Sequence, residues 1–311
     1  MSQDLLADAS ANARQLWKGR ALIVCAAVLW STSGFFAKAP LFADWSGPVL
    51  AFWRATFASV LLVPNVRRPR WSWGLIPMVA AFAAMNYTYL SAMAMSEASL
   101  AIWLQNTAPA WVLLFGVLWL REPVRRSDWV LFLMAGLGVG IILRYELRGA
   151  ELQGVLFGLA AGVAYAAIVL MLRRLRDLES FWLIALNHVG TAIVLAPLAL
   201  TSSHWPSGIQ WLYLAAFGML QMALPYVLFA RGLQAIPGHE AAAIALLEPL
   251  LVPVWVFLAW RHHPTYQPPA AWTLVGGACI LLGLAYRVWS IRSQVAATRS
   301  VVAAAAERQV D

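Results

Sequence analysis

Residues 98–120 read ASLAIWLQNTAPAWVLLFGVLWL, twenty-three positions without an Asp, Glu, Lys or Arg. An α-helix rises about 1.5 Å per residue, so this run is long enough to cross the hydrocarbon core of a bilayer. Gln105, Asn106 and Thr107 place polarity at its middle, and Pro109 follows two residues later. Proline lacks the backbone donor and leaves a carbonyl one turn earlier without its partner, so the helix is expected to kink there.

Nine further apolar runs of similar length surround it. With 98–120 they predict ten spans over approximately 20–37, 47–64, 73–94, 98–120, 128–143, 153–172, 180–200, 208–230, 240–260 and 269–288. The connecting segments are short, which leaves no room for a large soluble domain. Composition agrees. Of 311 residues, 62% are hydrophobic and 12% charged, against about 45–50% and about 25% in soluble domains. A water-soluble enzyme or a DNA-binding protein is excluded on that ground. The 17 tryptophans suit a chain with two water–lipid boundaries.

The net charge of +8 is topology. With a cytoplasmic N-terminus, 17 of the 22 basic residues fall on the cytoplasmic side. They sit at Arg14, Lys18, Arg20; Arg67, Arg68, Arg70; Arg121, Arg125, Arg126; Arg173, Arg174, Arg176; Arg231; and Arg287, Arg292, Arg299, Arg308. The opposite side receives Lys38, Arg144, Arg148 and Arg261, while Arg54 lies inside a span. This asymmetry predicts an even number of spans, both termini in the cytoplasm, and a multi-pass protein of the cytoplasmic (inner) membrane. No nucleic-acid partner is expected. The lipid bilayer is.

The two halves repeat one another. Gly19 and Trp30 match Gly154 and Tyr165 at an offset of 135, and Pro64 matches Pro197 at 133. Ala108-Pro109 matches Glu248-Pro249 at 140; Trp129 and Gly140 match Trp272 and Gly283 at 143. Five spans per repeat is an odd number, so the second repeat enters the membrane from the opposite side, as in many secondary transporters. The expected fold is an all-α polytopic membrane protein of ten helices in two inverted five-helix repeats. The organisation reads as a cytoplasmic segment over 1–18, repeats over 19–143 and 154–288, and a cytoplasmic tail over 289–311. From about 291 that tail reads as a frayed helix or an unstructured segment.

Several runs resemble the EamA family of the drug/metabolite transporter superfamily. They are Leu29-Trp30-Ser31-Thr32-Ser33-Gly34-Phe35, Phe52-Trp53-Arg54, the stretch from Tyr89 through Ala94 to Pro109 and Arg121-Glu122, and the second-half counterpart from Phe229-Ala230 through Glu248-Pro249 to Gly277 and Gly283. The resemblance implies ten helices, cytoplasmic termini and transport of small metabolites, often outward. The sequence departs from a symmetric pattern at two places. Asn187 stands where the first half has Arg54, and His262-His263 where it has Glu122.

An ionisable side chain near the bilayer midplane is costly and marks a cavity or a partner. Arg54 and Glu248 lie mid-span and are the leading candidates, Arg54 for an anionic group and Glu248 for an amine or a proton. Trp30, Asn86, Tyr87, Gln105, Asn106, Tyr165, Asn187, His188, Gln221 and Tyr226, with Ser31, supply hydrogen bonds and flat aromatic walls to a small solute. Each could equally bond a neighbouring helix, and His188 reads best in that role. Pro109 and Pro249 are the expected hinges. Glycines 154, 158 and 162, with Gly136 and Gly140, recur every four residues and predict close helix contacts, within the chain first and in a homodimer second. No metal or cofactor is expected, Cys25 and Cys279 read as free thiols, and no phosphate loop or nucleophile motif is present. The function expected is therefore a secondary carrier for a small-molecule substrate. A lipid flippase or a membrane-embedded lipid-modifying enzyme is the alternative.

Overall fold

The computed structural model describes residues 2–120, 126–146 and 152–307. Arg121, Glu122, Arg125, Arg148 and Arg308 lie outside the described residues. Among the described residues, ten helices are long and apolar enough to cross a membrane. They are α1 (Arg14–Ala37), α2 (Gly47–Asn65), α3 (Leu75–Met95), α4 (Ala98–Leu118), α5 (Arg126–Glu146), α6 (Leu152–Arg174), α7 (Ser180–Leu200), α8 (Gln210–Gly232), α9 (Glu240–Trp260) and α10 (Ala271–Gln294). The first helix begins at Ser2 and the last continues to Glu307, so the tail is helical through that residue.

Four spans are interrupted within their length, and α2 ends in a 3-10 turn over Val63–Asn65. In α4 the helix stops at Gln105 and restarts at Ala108. Pro109 cannot donate to the carbonyl of Gln105, and the side chains of Asn106 and Thr107 bond the carbonyls of Ile102 (2.8 Å) and Leu104 (2.6 Å). In α9 the break falls at Leu246, 140 positions on, beside Pro249. The two breaks share the repeat offset. In α1 the break is at Thr32, where Ser31 and Thr32 both bond back to the preceding turn at 2.6 Å. In α8 a π-helical turn spans Phe217–Ala223 ahead of Pro225.

Packing carries the symmetry of the duplication. Helices α5 and α10, α2 and α7, and α4 and α9 each pack against their own counterpart. Most of the larger remaining contacts come in exchanged pairs: α3 on α6 and α8 on α1, α4 on α6 and α9 on α1, α2 on α8 and α7 on α3. Exchanging the halves maps these contacts onto one another, which is how two repeats related by a two-fold axis pack.

Glycine sets the closest approaches. A Cβ at Gly154 would sit 2.5 Å from Ser96, at Gly158 2.9 Å from Leu104, and at Gly162 2.7 Å from Thr107. This stripe of α6 therefore packs within the chain, against the end of α3 and against α4. In α5 the expectation needs correction. Gly136 and Gly140 have nothing within 4 Å, and Gly138 is the glycine at the interface, where a Cβ would fall on the carbonyl of Gly276 in α10. The four-residue spacing marks the packed face of α6, whereas in α5 it marks a face without contacts inside the chain.

The outer surface is apolar, with Leu133, Leu156, Ile193, Leu212 and Leu282 all more than half exposed. Five exposed tryptophans, Trp17, Trp71, Trp73, Trp129 and Trp289, stand at span ends on the face that bears both termini. Indoles at that depth mark the boundary between lipid and water.

Candidate functional site

The polar residues of the middle layer divide into a closed cluster and an open one. Arg54 of α2 is closed, at 2% exposure. Its Nη2 donates to Oδ1 of Asn86 at 2.5 Å, and Nδ2 of Asn86 donates to the carbonyl of Phe82 at 2.9 Å. The guanidinium carbon lies 5.0 Å from the Phe217 ring centre and 5.9 Å from that of Tyr89. Tyr89 in turn shares a 2.9 Å hydrogen bond with Ser33 of α1. The cation is thus held by one amide and two aromatic faces. Its Nε has no hydrogen-bond partner. The expectation that Arg54 lines the cavity is not met in this conformation.

Glu248 of α9 is open. It is half-buried, follows the break at Leu246 by two residues, and interacts electrostatically with Arg54, Tyr89, Tyr165 and Tyr226. No ion pair joins it to Arg54; the ion pairs formed among the described residues include Arg20–Glu240 and Arg287–Asp128, both near the terminus-bearing face. Tyr165 of α6 is 43% exposed although it lies within the electrostatic reach of Glu248 and Tyr226. The exposed ring of Tyr165 and the half-buried carboxylate of Glu248 thus form one accessible wall in the middle layer. Half-buried Trp30 and Tyr226 complete that wall, their rings meeting edge to face at 5.2 Å, and Phe229 lies 5.2 Å from Trp30 on another side.

Beside it runs a fully buried polar strip on α7 and α8. Asn187 and His188 are 3% and 0% exposed, and the Asn187 Oδ1, both ring nitrogens of His188, the Thr191 Oγ1 and the Gln221 Oε1 have no hydrogen-bond partner. His188 was expected to bond a neighbouring helix. It makes ring contacts instead, with Phe82 at 4.9 Å and Tyr226 at 6.0 Å. Gln221 spends its Nε2 on the carbonyl of Trp30 at 3.0 Å, beside the break in α1. Buried polar atoms are nearly always satisfied, so this run of unpaired ones is unusual.

The structure therefore brings together Trp30, Arg54, Asn86, Tyr165, His188, Gln221, Tyr226 and Glu248, with Asn187 beside His188. It does not bring in Tyr87, whose ring packs on Phe157 at 5.8 Å, or Asn106, whose amide closes on its own helix. Gln105 is buried at the end of the first segment of α4. Sequence reasoning missed Ser33, Tyr89, Phe217, Trp103 and Trp255. Trp255 donates to the Ser31 hydroxyl at 2.8 Å and Trp103 to the carbonyl of Pro249 at 2.9 Å. The second bond has a plain cause. The carbonyl of Pro249 would accept from residue 253, which is proline, and the indole of Trp103 takes that place. A proline four residues after a proline was the available signal.

Among the described residues no three His, Cys, Asp or Glu side chains form a metal-binding group.

The profile of the EamA-like transporter family matches this sequence twice, over residues 17–144 and 152–289. An uncharacterized transporter from Archaeoglobus fulgidus is 29% identical over 277 residues, covering 86% of this chain and 94% of that protein. The uncharacterized transporter YwfM of Bacillus subtilis is 25% identical over 283 residues, covering 84% and 90%. A crystal structure with 18% identity superposes with a TM-score of 0.62 over 86% of this chain and 94% of its own, a likeness of fold.

Proposed function

Because this chain belongs to the EamA-like transporter family, we propose that it is a secondary carrier for a small amphipathic solute bearing an amine, such as an amino acid, moved outward by alternating access. The two inverted halves rock about the space that Glu248, Tyr165, Tyr226 and Trp30 line. Both termini lie in the cytoplasm and the bundle spans the inner membrane, a reading that the 17-to-4 division of basic residues supports.

One observation carries the choice of substrate. Glu248 is the carboxylate of the middle layer, it keeps accessible surface, and the nearest cation is held elsewhere by Asn86 and Phe217. A carboxylate in such a place needs a cation or a proton to be tolerated. An amine satisfies it, and the aromatic rings around it suit the alkyl or cationic part of the same solute. The substrate carboxylate expected to meet Arg54 has no open route to it in this conformation, so the amine is the recognised group. Pro109 and Pro249, beside the paired breaks of α4 and α9, serve as the hinges.

Proteoliposomes loaded with radiolabelled amino acids and with their decarboxylated amines test this reading. Saturable flux of the amine series is expected, falling to background in Glu248→Gln together with any dependence of the rate on pH. Flux of carboxylates without an amine, or unchanged flux in Glu248→Gln, would remove Glu248 from the mechanism. A panel with no flux of any solute but with lipid scrambling would point to the flippase.

A further inference from the structure

A second concavity lies far from the central site. It encloses about 650 Å³ on the terminus-bearing face and is lined by Arg67, Arg68, Arg70, Asp177, Leu178 and Glu179, from the α2–α3 and α6–α7 connections. We propose that it binds the headgroup of an anionic phospholipid.

The pocket is built rather than incidental. The Glu179 carboxylate, at the start of α7, does not pair with the neighbouring guanidinium groups. Its Oε2 accepts the backbone N–H of Arg68 at 2.6 Å and of Arg67 at 3.1 Å. Nε1 of Trp182, one turn along α7, donates to the carbonyl of Arg70 at 2.8 Å. Main-chain bonds at both ends thus fix a four-residue segment, and its three arginine side chains are left exposed. Half the negative charge of the lining is engaged in that anchoring. Asp177 offsets one of the three positive charges, and exposed Arg174 and Arg176 add two more at the end of α6. The lining favours an oxyanion that several guanidinium groups can share, as phosphate is.

Depth identifies the source of the phosphate. Trp71 and Trp73 follow directly, 64% and 77% exposed, with their rings 6.3 Å apart edge to face. Exposed indoles of this kind lie at the level of the lipid headgroups, and arginines beside them stand where lipid phosphates are. A soluble anion has no use for the indole pair; a lipid uses both, with Leu178 beneath its glycerol.

The test compares retention of phosphatidylglycerol and phosphatidylcholine by the purified full chain in native mass spectrometry. Arg67→Ala/Arg68→Ala/Arg70→Ala is expected to lose phosphatidylglycerol affinity by about tenfold. Arg126→Ala/Arg231→Ala/Arg292→Ala removes the same charge from the same face and is expected to change it less than about twofold. Equal losses in the two triples would reduce the effect to the general field of the face and overturn the site. Glu179→Ala gives a readout of opposite sign. On charge alone, removing an acid strengthens anion binding; a segment that must be anchored predicts weaker binding, and stronger binding would overturn the proposal. Inorganic phosphate that protects the lipid-free protein against heat as well as phosphatidylglycerol does would assign the pocket to a soluble anion and overturn the lipid.

Discussion

Position for position, the two halves keep the same frame and opposite chemistry. Trp30 answers to Tyr165, and the break of α4 to the break of α9. Yet Arg54 answers to Asn187, and Glu248 to Ala108. Under the proposed alternating access, mechanical features survive in both copies because each half bends for either side to open. Charge is retained once of each sign, since a second buried ion of the same sign would need its own partner. The two charges also differ in state. The one from the first half is capped by Asn86, Phe217 and Tyr89; the one from the second is only half-buried. On the proposed function, the first half shapes the field and the second meets the solute.

The largest effect should come from moving the charge to its symmetric position. Ala108 is 2% exposed, so a carboxylate placed there in Ala108→Glu/Glu248→Ala enters packed core and not the cavity. Transport is expected to fall by about a hundredfold or more, as in Glu248→Ala alone, because a buried midplane charge is useful only where it meets its ligand. Flux in proteoliposomes checks it. Recovery in the double variant would mean that the halves are interchangeable at this position and that the asymmetry has no function.

A smaller effect separates Arg54 from Asn187. Arg54→Leu leaves the Oδ1 of buried Asn86 without its donor and is expected to cost about 1–3 kcal/mol. Asn187→Leu removes a side chain whose Oδ1 has no partner, so its cost should be under about 0.5 kcal/mol, or a gain. Denaturation of the two variants in one detergent gives the comparison. Equal losses would show that the cap on Arg54 contributes nothing to stability.

Much of this frame is legible in the sequence, for physical reasons. A lipid-crossing helix must be long, apolar and free of charge over its whole length, so 98–120 and 240–260 announce themselves. Proline removes a helix bond, and Pro109 and Pro249 lie within three residues of the observed breaks, although Pro197 and Pro253 sit inside unbroken helix. Two kinds of feature are not legible. Which face of a helix a residue occupies depends on its neighbours; that is why Gly138, and not Gly136 or Gly140, meets α10, and why Arg54 is closed while Glu248 is open. Bonds between distant helices, such as Ser33 to Tyr89 or Trp255 to Ser31, depend on register across the bundle, and spacing along the chain carries none of it.

The smallest effect concerns the one bond by which α4 braces its counterpart. Trp103 donates to the carbonyl of Pro249, which lacks an intrahelical donor because residue 253 is proline. The brace is not reciprocal, for the position matching Trp103 is Ala243 and that matching Pro253 is Leu113. Trp103→Phe keeps most of the ring against Gly277 and loses only the donor, at an expected cost of about 0.5–1.5 kcal/mol. Pro253→Ala supplies the missing backbone N–H, so the helix then satisfies that carbonyl itself. In the Pro253→Ala background Trp103→Phe should therefore cost almost nothing, a coupling of about 1 kcal/mol in a double-mutant cycle read by thermal unfolding. Simple additivity would show that the indole acts through its packing on Gly277 and that the freed carbonyl is irrelevant to it. A coupling of the expected size makes Trp103 the partner that allows α9 to carry two prolines beside Glu248, a burden that α4, with Leu113 in place of the second, does not share.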